Sequence, residues 1–222
     1  RVVTAAAPVL PAPVVLIDGS VASGFTTDGS NKVTTVYNQV GDGLTVIPST
    51  LSGIYRGPGY TQSGNNYLQS LNGDGNMYLT LPDTLAGDFT YSFMGQYLAH
   101  TNTKYLIGFT VDSSTYSLLG ENGAMYSDTA GALGSMGGYP WVVGSTYLVD
   151  VVRFGGIITV KVDGATWGVF PGSIGGVLNK IILGTHFGIR FDIFEVALYN
   201  HALDATAISD IITAKRAKWG IV

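Results

Sequence analysis

Short runs of β-forming residues separated by Gly, Asn, Asp and Ser clusters predict an all-β protein: a two-sheet antiparallel sandwich with one short C-terminal helix. Three observations carry that prediction. Turn signals recur about every eight to twelve residues, the spacing of a sandwich or barrel. The runs between them alternate apolar and polar residues in period two. Helical spacing of apolar residues is confined to the last stretch of the chain.

Asp88–Leu98 is the clearest strand, with Phe89, Tyr91, Phe93 and Tyr97 on one face and Thr90, Ser92 and Gln96 on the other. Tyr147–Phe154 and Ile157–Asp163 flank Gly155-Gly156, a two-residue connection that tolerates the positive φ angles of a tight hairpin. Asp163-Gly164 marks the next turn, before a strand at Thr166–Phe170. Further strands are predicted at Val14–Ile17, Lys32–Val40, Met77–Leu81, Tyr105–Val111, Thr115–Leu119, Lys180–Leu183 and Arg190–Tyr199. From Asp204 to Lys218 the pattern changes. Leu203, Ala207, Ile208, Ile211 and Ile212 recur at helical spacing, with Asp210, Lys215 and Lys218 elsewhere around the turn and Asp204 as N-cap. Residues 1–13 are rich in Pro and Ala and read as an extended linker from a longer parent chain, leaving residues 14–222 as a single domain.

Composition narrows the function classes. Of 222 residues only 12% are charged, against about 25% in ordinary globular domains, while 46% are hydrophobic. That balance excludes intrinsic disorder. The formal net charge of −4 argues against a duplex nucleic-acid partner, which needs a basic surface. There is no cysteine, so disulfides, thiolate zinc sites and thiol nucleophiles are absent together. No apolar run approaches the ~20 residues of a membrane-spanning helix, so no membrane insertion is expected.

The ending is the most specific signal. Ile189–Tyr199 runs through Asn200-His201-Ala202-Leu203-Asp204 into the helix and then Lys218-Trp219-Gly220. It resembles the C-terminal signature of laminin-G-like, concanavalin-A-like jelly rolls of phage and bacterial proteins. There a strand with a Glu leads to a Tyr, an Ala-Leu pair, a short helix and a closing Lys-Trp-Gly. Leu16–Ser20 with Val33–Gly43, the passage Asn76–Phe93 and the Val149–Gly164 hairpin resemble the family's other elements in order. The resemblance implies a jelly-roll sandwich over nearly all of residues 14–220. It also implies a choice among lectin, glycosidase, lyase, adhesion and structural roles.

Enzyme chemistry finds few candidates. Only two Glu exist, Glu121 and Glu195, and the nearest approach to a strand-borne acid pair is Asp192-Ile-Phe-Glu195, whose ends an ideal strand points to opposite faces. The resemblance places Glu195 at a structural position. His100, His186 and His201 lack any metal-binding spacing, and no nucleophile elbow or phosphate loop occurs. The chain is therefore expected not to be an enzyme and to need no cofactor. Asn72-Gly-Asp-Gly-Asn76 and Asp28-Gly-Ser-Asn31 carry Ca²⁺-type oxygen donors but equally the composition of tight turns.

The positive case is binding of sugars, where aromatic rings stack on pyranose faces and Asn, Asp or Gln reach the hydroxyls. Two loop clusters fit. One is Tyr55-Arg-Gly-Pro-Gly-Tyr60; the other joins Asn122, Tyr126 and Asp128 to Tyr139-Pro-Trp141. Trp141, beside Pro and Gly-Gly, is the leading candidate; set against it is the reading in which these aromatics plug the ends of the sandwich or face another subunit. The expected partner is a cell-surface glycan, and the expected setting a phage tail or another extracellular location. A homo-oligomer, trimeric on a tail fibre, completes the expectation. A structural or decoration module, and a polysaccharide-degrading enzyme with loop-borne acids, are the alternatives.

Overall fold

In the computed structural model the chain is a two-layer β-sandwich with one helix laid on the outside of the larger sheet. Residues 9–40, 45–46, 54–57, 61–70, 77–100, 105–112, 114–119, 124–127, 131–135, 141–170, 176–183 and 189–221 are described. The first strands are β1 (Val15–Asp18), β2 (Phe25–Thr27), β3 (Val33–Tyr37) and β4 (Thr45–Val46). Four short ones follow: β5 (Ile54–Tyr55), β6 (Thr61–Gln62), β7 (Asn65–Asn66) and β8 (Leu68–Ser70). The body comprises β9 (Met77–Ala86), β10 (Phe89–His100), β11 (Tyr105–Val111), β12 (Ser114–Leu119), β13 (Ala124–Ser127) and β14 (Gly131–Ser135). The chain then runs through β15 (Thr146–Phe154), β16 (Ile157–Val162), β17 (Ala165–Phe170), β18 (Val177–Leu183), β19 (Ile189–Tyr199) and α1 (Ala205–Trp219).

The larger sheet has the order β17-β16-β15-β10-β19-β8-β5, with β1 lying on the same side of β19 as β8. The smaller is β14-β13-β12-β11-β18-β9, and both are antiparallel throughout. Period-two alternation sends one face of each sheet inward. Phe89, Tyr91 and Phe93 of β10, Val149 and Val151 of β15, and Val196 and Leu198 of β19 meet Leu79 of β9, Phe109 of β11, Met125 of β13 and Ile181 of β18. Each side chain of this size stabilises the fold by roughly 1.5–3 kcal/mol when fully buried.

Turn chemistry sets the register. Gly155-Gly156, Asp163-Gly164 and Ser63-Gly64 all hold two successive positive φ angles, the requirement of a type I′ hairpin. Pro82, which lacks a ladder donor, falls where the pairing of β9 with β18 jumps from Leu85 opposite Leu178 to Thr80 opposite Lys180, on a sheet edge.

The helix is capped at both ends. Asp204 accepts a hydrogen bond from Ala207 N at 2.8 Å, and Gly220 closes the C-terminus at φ 62°. The β6–β7 hairpin completes that end, as Ser63 Oγ and Asn65 Nδ2 donate to the carbonyls of Trp219 and Lys218 at 3.1 Å each. Ile208, Ile211, Lys215 and Trp219 form the face that meets the sheet, against Met94, Leu148, Phe194 and Tyr199. The predicted helix and its N-cap are therefore present. Lys215 departs from the expected solvent face: it is buried at 6% exposure.

Candidate functional site

Among the described residues, two places concentrate chemistry-bearing side chains: an aromatic group around Trp141 and a charged layer beneath the helix. In the aromatic group, Trp141 is only 4% exposed. Its ring stands edge-on to Tyr147 at 4.8 Å and to Trp167 at 5.4 Å, and the Tyr147 hydroxyl accepts a hydrogen bond from Val142 N at 2.7 Å. This corrects the expectation of an open stacking platform. The backbone before β15 is irregular, as Pro and Gly dictate, yet it turns the indole inward to close the core between the sheets. Trp167, on the edge strand β17, is half-buried against the same core.

Two other candidates lie on strands rather than loops. Tyr55 belongs to β5 and pairs with Gln69 of β8; Tyr126 belongs to β13, opposite Ser117 and Ala132. The Gly-rich flanks of both segments resemble loops in sequence, but Ala124–Ser127 is drawn into the sheet by Met125, which is fully buried. Tyr60, Asn122, Asp128 and Tyr139 lie outside the described residues, as does the Asn72–Asn76 cluster. The other oxygen-rich loop is a turn. Asp28 Oδ1 accepts from Ser30 N at 2.8 Å and Lys32 N at 3.0 Å. Among the described residues no three His, Asp or Glu side chains gather as a metal site.

The charged layer is not legible as a unit in the sequence. β19 carries a bulge: Glu195 is opposite Met94 and Ile193 is opposite Gly95, so Phe194 is an extra residue. Two consecutive side chains consequently face the helix. Phe194 stacks on Trp219 with ring centroids 4.9 Å apart. Glu195 Oε1 takes Lys215 Nζ at 3.2 Å, and its Oε2 takes Lys218 Nζ at 3.0 Å. Lys218 also pairs with Asp18 of β1. The bulge corrects one expectation too, because Asp192 and Glu195 fall on the same face. They do not form an exposed acid pair: Asp192 accepts from Gln69 Nε2 at 2.7 Å, and Glu195 is held by two lysines.

The layer continues to Asp150, where Lys215 Nζ also meets Ser92 Oγ at 3.3 Å. Asp150 is 1% exposed, and its Oδ2 has no hydrogen-bond partner among the described residues. Burial pushes its carboxyl up to about 6, an effect that the Ser92 hydroxyl and the Lys215 and Lys161 ammonium groups only partly offset. The folded state therefore binds this proton more tightly than the unfolded chain, and stability falls as pH rises through about 4 to 6. From 3.8 to about 6 the gap is worth roughly 3 kcal/mol. Asp150→Asn is expected to remove most of that slope in urea-unfolding midpoints measured from pH 4 to pH 8. An equally steep slope in the variant would show that Asp150 does not carry it.

Comparison with known proteins bears on the fold. The sialidase of Trypanosoma rangeli superposes with a TM-score of 0.61 at 15% identity, over 94% of this chain and 33% of that one. The botulinum neurotoxin serotype G binding domain gives 0.60 at 12%, over 95% and 54%. The serotype D ligand binding domain, in complex with N-acetylneuraminic acid, gives 0.58 at 9%, over 91% and 50%. The fold is shared; the sequence is not. No family model matches the chain, and no curated protein sequence does. The chain spans about a third of the sialidase and about half of the toxin domains.

Proposed function

We propose that the chain is a carbohydrate-recognition module that binds a host-surface polysaccharide from a phage tail fibre or tail-tip protein. The observation that carries it is the sandwich shared with a toxin ligand-binding domain whose complex contains N-acetylneuraminic acid. Three features support the reading. The resemblance of the closing Lys-Trp-Gly motif is to lectin-like jelly rolls. The surface is poor in charge, with only 12% charged residues in the chain. Several of the chain's cations are already committed: Arg153 donates to the Gly176 and Gly87 carbonyls, Arg216 pairs with Asp163, and Lys215 and Lys218 hold Glu195. A glycan rich in hydroxyls suits such a surface better than a polyanion.

In this reading Tyr126 and Tyr139, with Asn122 and Asp128, supply one contact region, and Tyr55 with Tyr60 the other. Glycan-array screening followed by calorimetry tests it. Binding to a host polysaccharide, weakened about tenfold or more by Tyr139→Ala or Tyr126→Ala in a folded variant, is expected. A folded module that binds no host glycan but assembles into a stable oligomer would replace this reading with the structural one. Release of reducing ends or unsaturated sugars would replace it with the enzymatic one.

A further inference from the structure

We propose that the chain closes itself with an amide bond between the side chains of Lys218 and Asp18, with Glu195 carrying the protons. The fold brings these three groups together from three elements. Asp18 ends β1 and lies directly opposite Glu195 in the ladder between β1 and β19, so the two carboxylates are cross-strand neighbours. The last turn of α1 sets Lys218 Nζ against Asp18 Oδ2 and 3.0 Å from Glu195 Oε2. Both acidic residues are buried.

Each partner is pinned by contacts of its own. The Asp18 backbone exchanges two hydrogen bonds with the Gln39 side chain, at 3.1 Å each. Its Oδ1 accepts from Ser20 N at 2.9 Å and from Ser20 Oγ at 2.6 Å. Lys215 holds Glu195 Oε1 at 3.2 Å. The helix end is fixed by the stacking of Trp219 on Phe194 and by the Asn65 bond to the Lys218 carbonyl. Reactants fixed in this way reach effective molarities of about 10⁵–10⁸ M.

The arrangement supplies each part of a condensation. Burial lowers the pKa of Lys218, but the Glu195 and Asp18 carboxylates outweigh it and keep the ammonium charged. Its protons therefore pass to a carboxylate, and Glu195 is in reach to take them. Nζ bonds to Asp18 Cγ while the bond from Cγ to Oδ2 breaks. Two of the three ammonium protons, relayed by Glu195, leave on Oδ2 as one water, and Glu195 ends ionised as it began. Oδ1 stays on the Ser20 donors, which stabilise the charge that develops there during the attack. One ammonium and one carboxylate become a neutral amide, so no co-reactant is consumed and the desolvated pair is removed.

The chain has no cysteine, and the amide does the work of a disulfide between residues 200 positions apart. Force applied outside Asp18 and Lys218 passes through this bond instead of peeling β1 from β19. The bond is independent of any glycan contact.

Intact mass spectrometry of the purified folded chain tests the proposal. The expected mass is that of the sequence less one water, with a branched tryptic peptide joining the Asp18 and Lys218 segments. Lys218→Arg, which keeps the charge, should restore the full mass and lower the melting temperature by roughly 10–20 °C. Asp18→Asn should reach the same final mass as the original chain by losing ammonia in place of water, and serves where Glu195→Gln does not fold. A folded chain at its full sequence mass would overturn the proposal. So would a water loss that survives Lys218→Arg, or one that hydroxylamine reverses. The first places the loss elsewhere; the second marks a succinimide at an Asp-Gly pair such as Asp18-Gly19. A folded Glu195→Gln chain that forms the bond as completely would overturn the role given to Glu195.

Discussion

Glu195→Ala is expected to destabilise the protein by about 3–5 kcal/mol, the cost of leaving one member of a buried ion pair without its partner. Lys215 is the group at risk. It is 6% exposed, its Nζ lies 3.2 Å from Glu195 Oε1, and its other polar contact is the neutral Ser92 hydroxyl at 3.3 Å. Lys218 suffers less, since it is about a third exposed and keeps Asp18. For a domain of this size the loss lowers the melting temperature by roughly 6 to 20 °C. The pair itself is a different matter. Its Coulombic gain is set against desolvation of both groups, so replacing both members with apolar residues, Glu195→Leu with Lys215→Met, should cost far less than either change alone. Thermal unfolding of the two single variants and the double variant measures this coupling. Additive losses would show that the ammonium and carboxylate do not depend on each other, and that the layer is not held by their pairing.

That layer also marks the boundary between what is legible in the sequence and what is not. The long strands are legible because alternation is a local property. Phe89, Tyr91 and Phe93 announce both the strand and its inward face, and Gly155-Gly156 announces the hairpin turn between β15 and β16. The helix is equally legible from Asp204 and the spacing of Ile208 and Ile211. β5 to β8 and β13 are two to four residues long, too short for a period to declare itself. The bulge at Phe194 is harder still: one inserted residue puts Glu195 on the helix side, and nothing in Asp192-Ile-Phe-Glu195 signals it. Lysine usually faces solvent, so the sequence by itself puts Lys215 outside. Its burial depends on a carboxylate that only the bulge delivers. Asp150 is hidden for the same reason, since in the sequence it merely interrupts an apolar run.

Trp141→Ala is expected to cost about 3–5 kcal/mol of stability, the usual range for removing a large buried aromatic side chain. The indole is 4% exposed and makes edge contacts with Tyr147 and Trp167, each pair adding about 0.5–1.5 kcal/mol beyond area burial. Any loss of glycan binding in this variant would therefore follow from damage to the end of the sandwich. Trp141→Phe separates packing from recognition. It keeps an aromatic edge toward Tyr147 and removes an indole Nε1 that has no hydrogen-bond partner among the described residues, so its stability loss should be the smaller. If the ring only closes the core, glycan affinity of the folded Trp141→Phe protein stays within about twofold of the original. If the indole is a stacking platform, Trp141→Ala retains its melting temperature while binding disappears. The geometry requires the first result. Burial leaves no face of the ring for a pyranose to stack on.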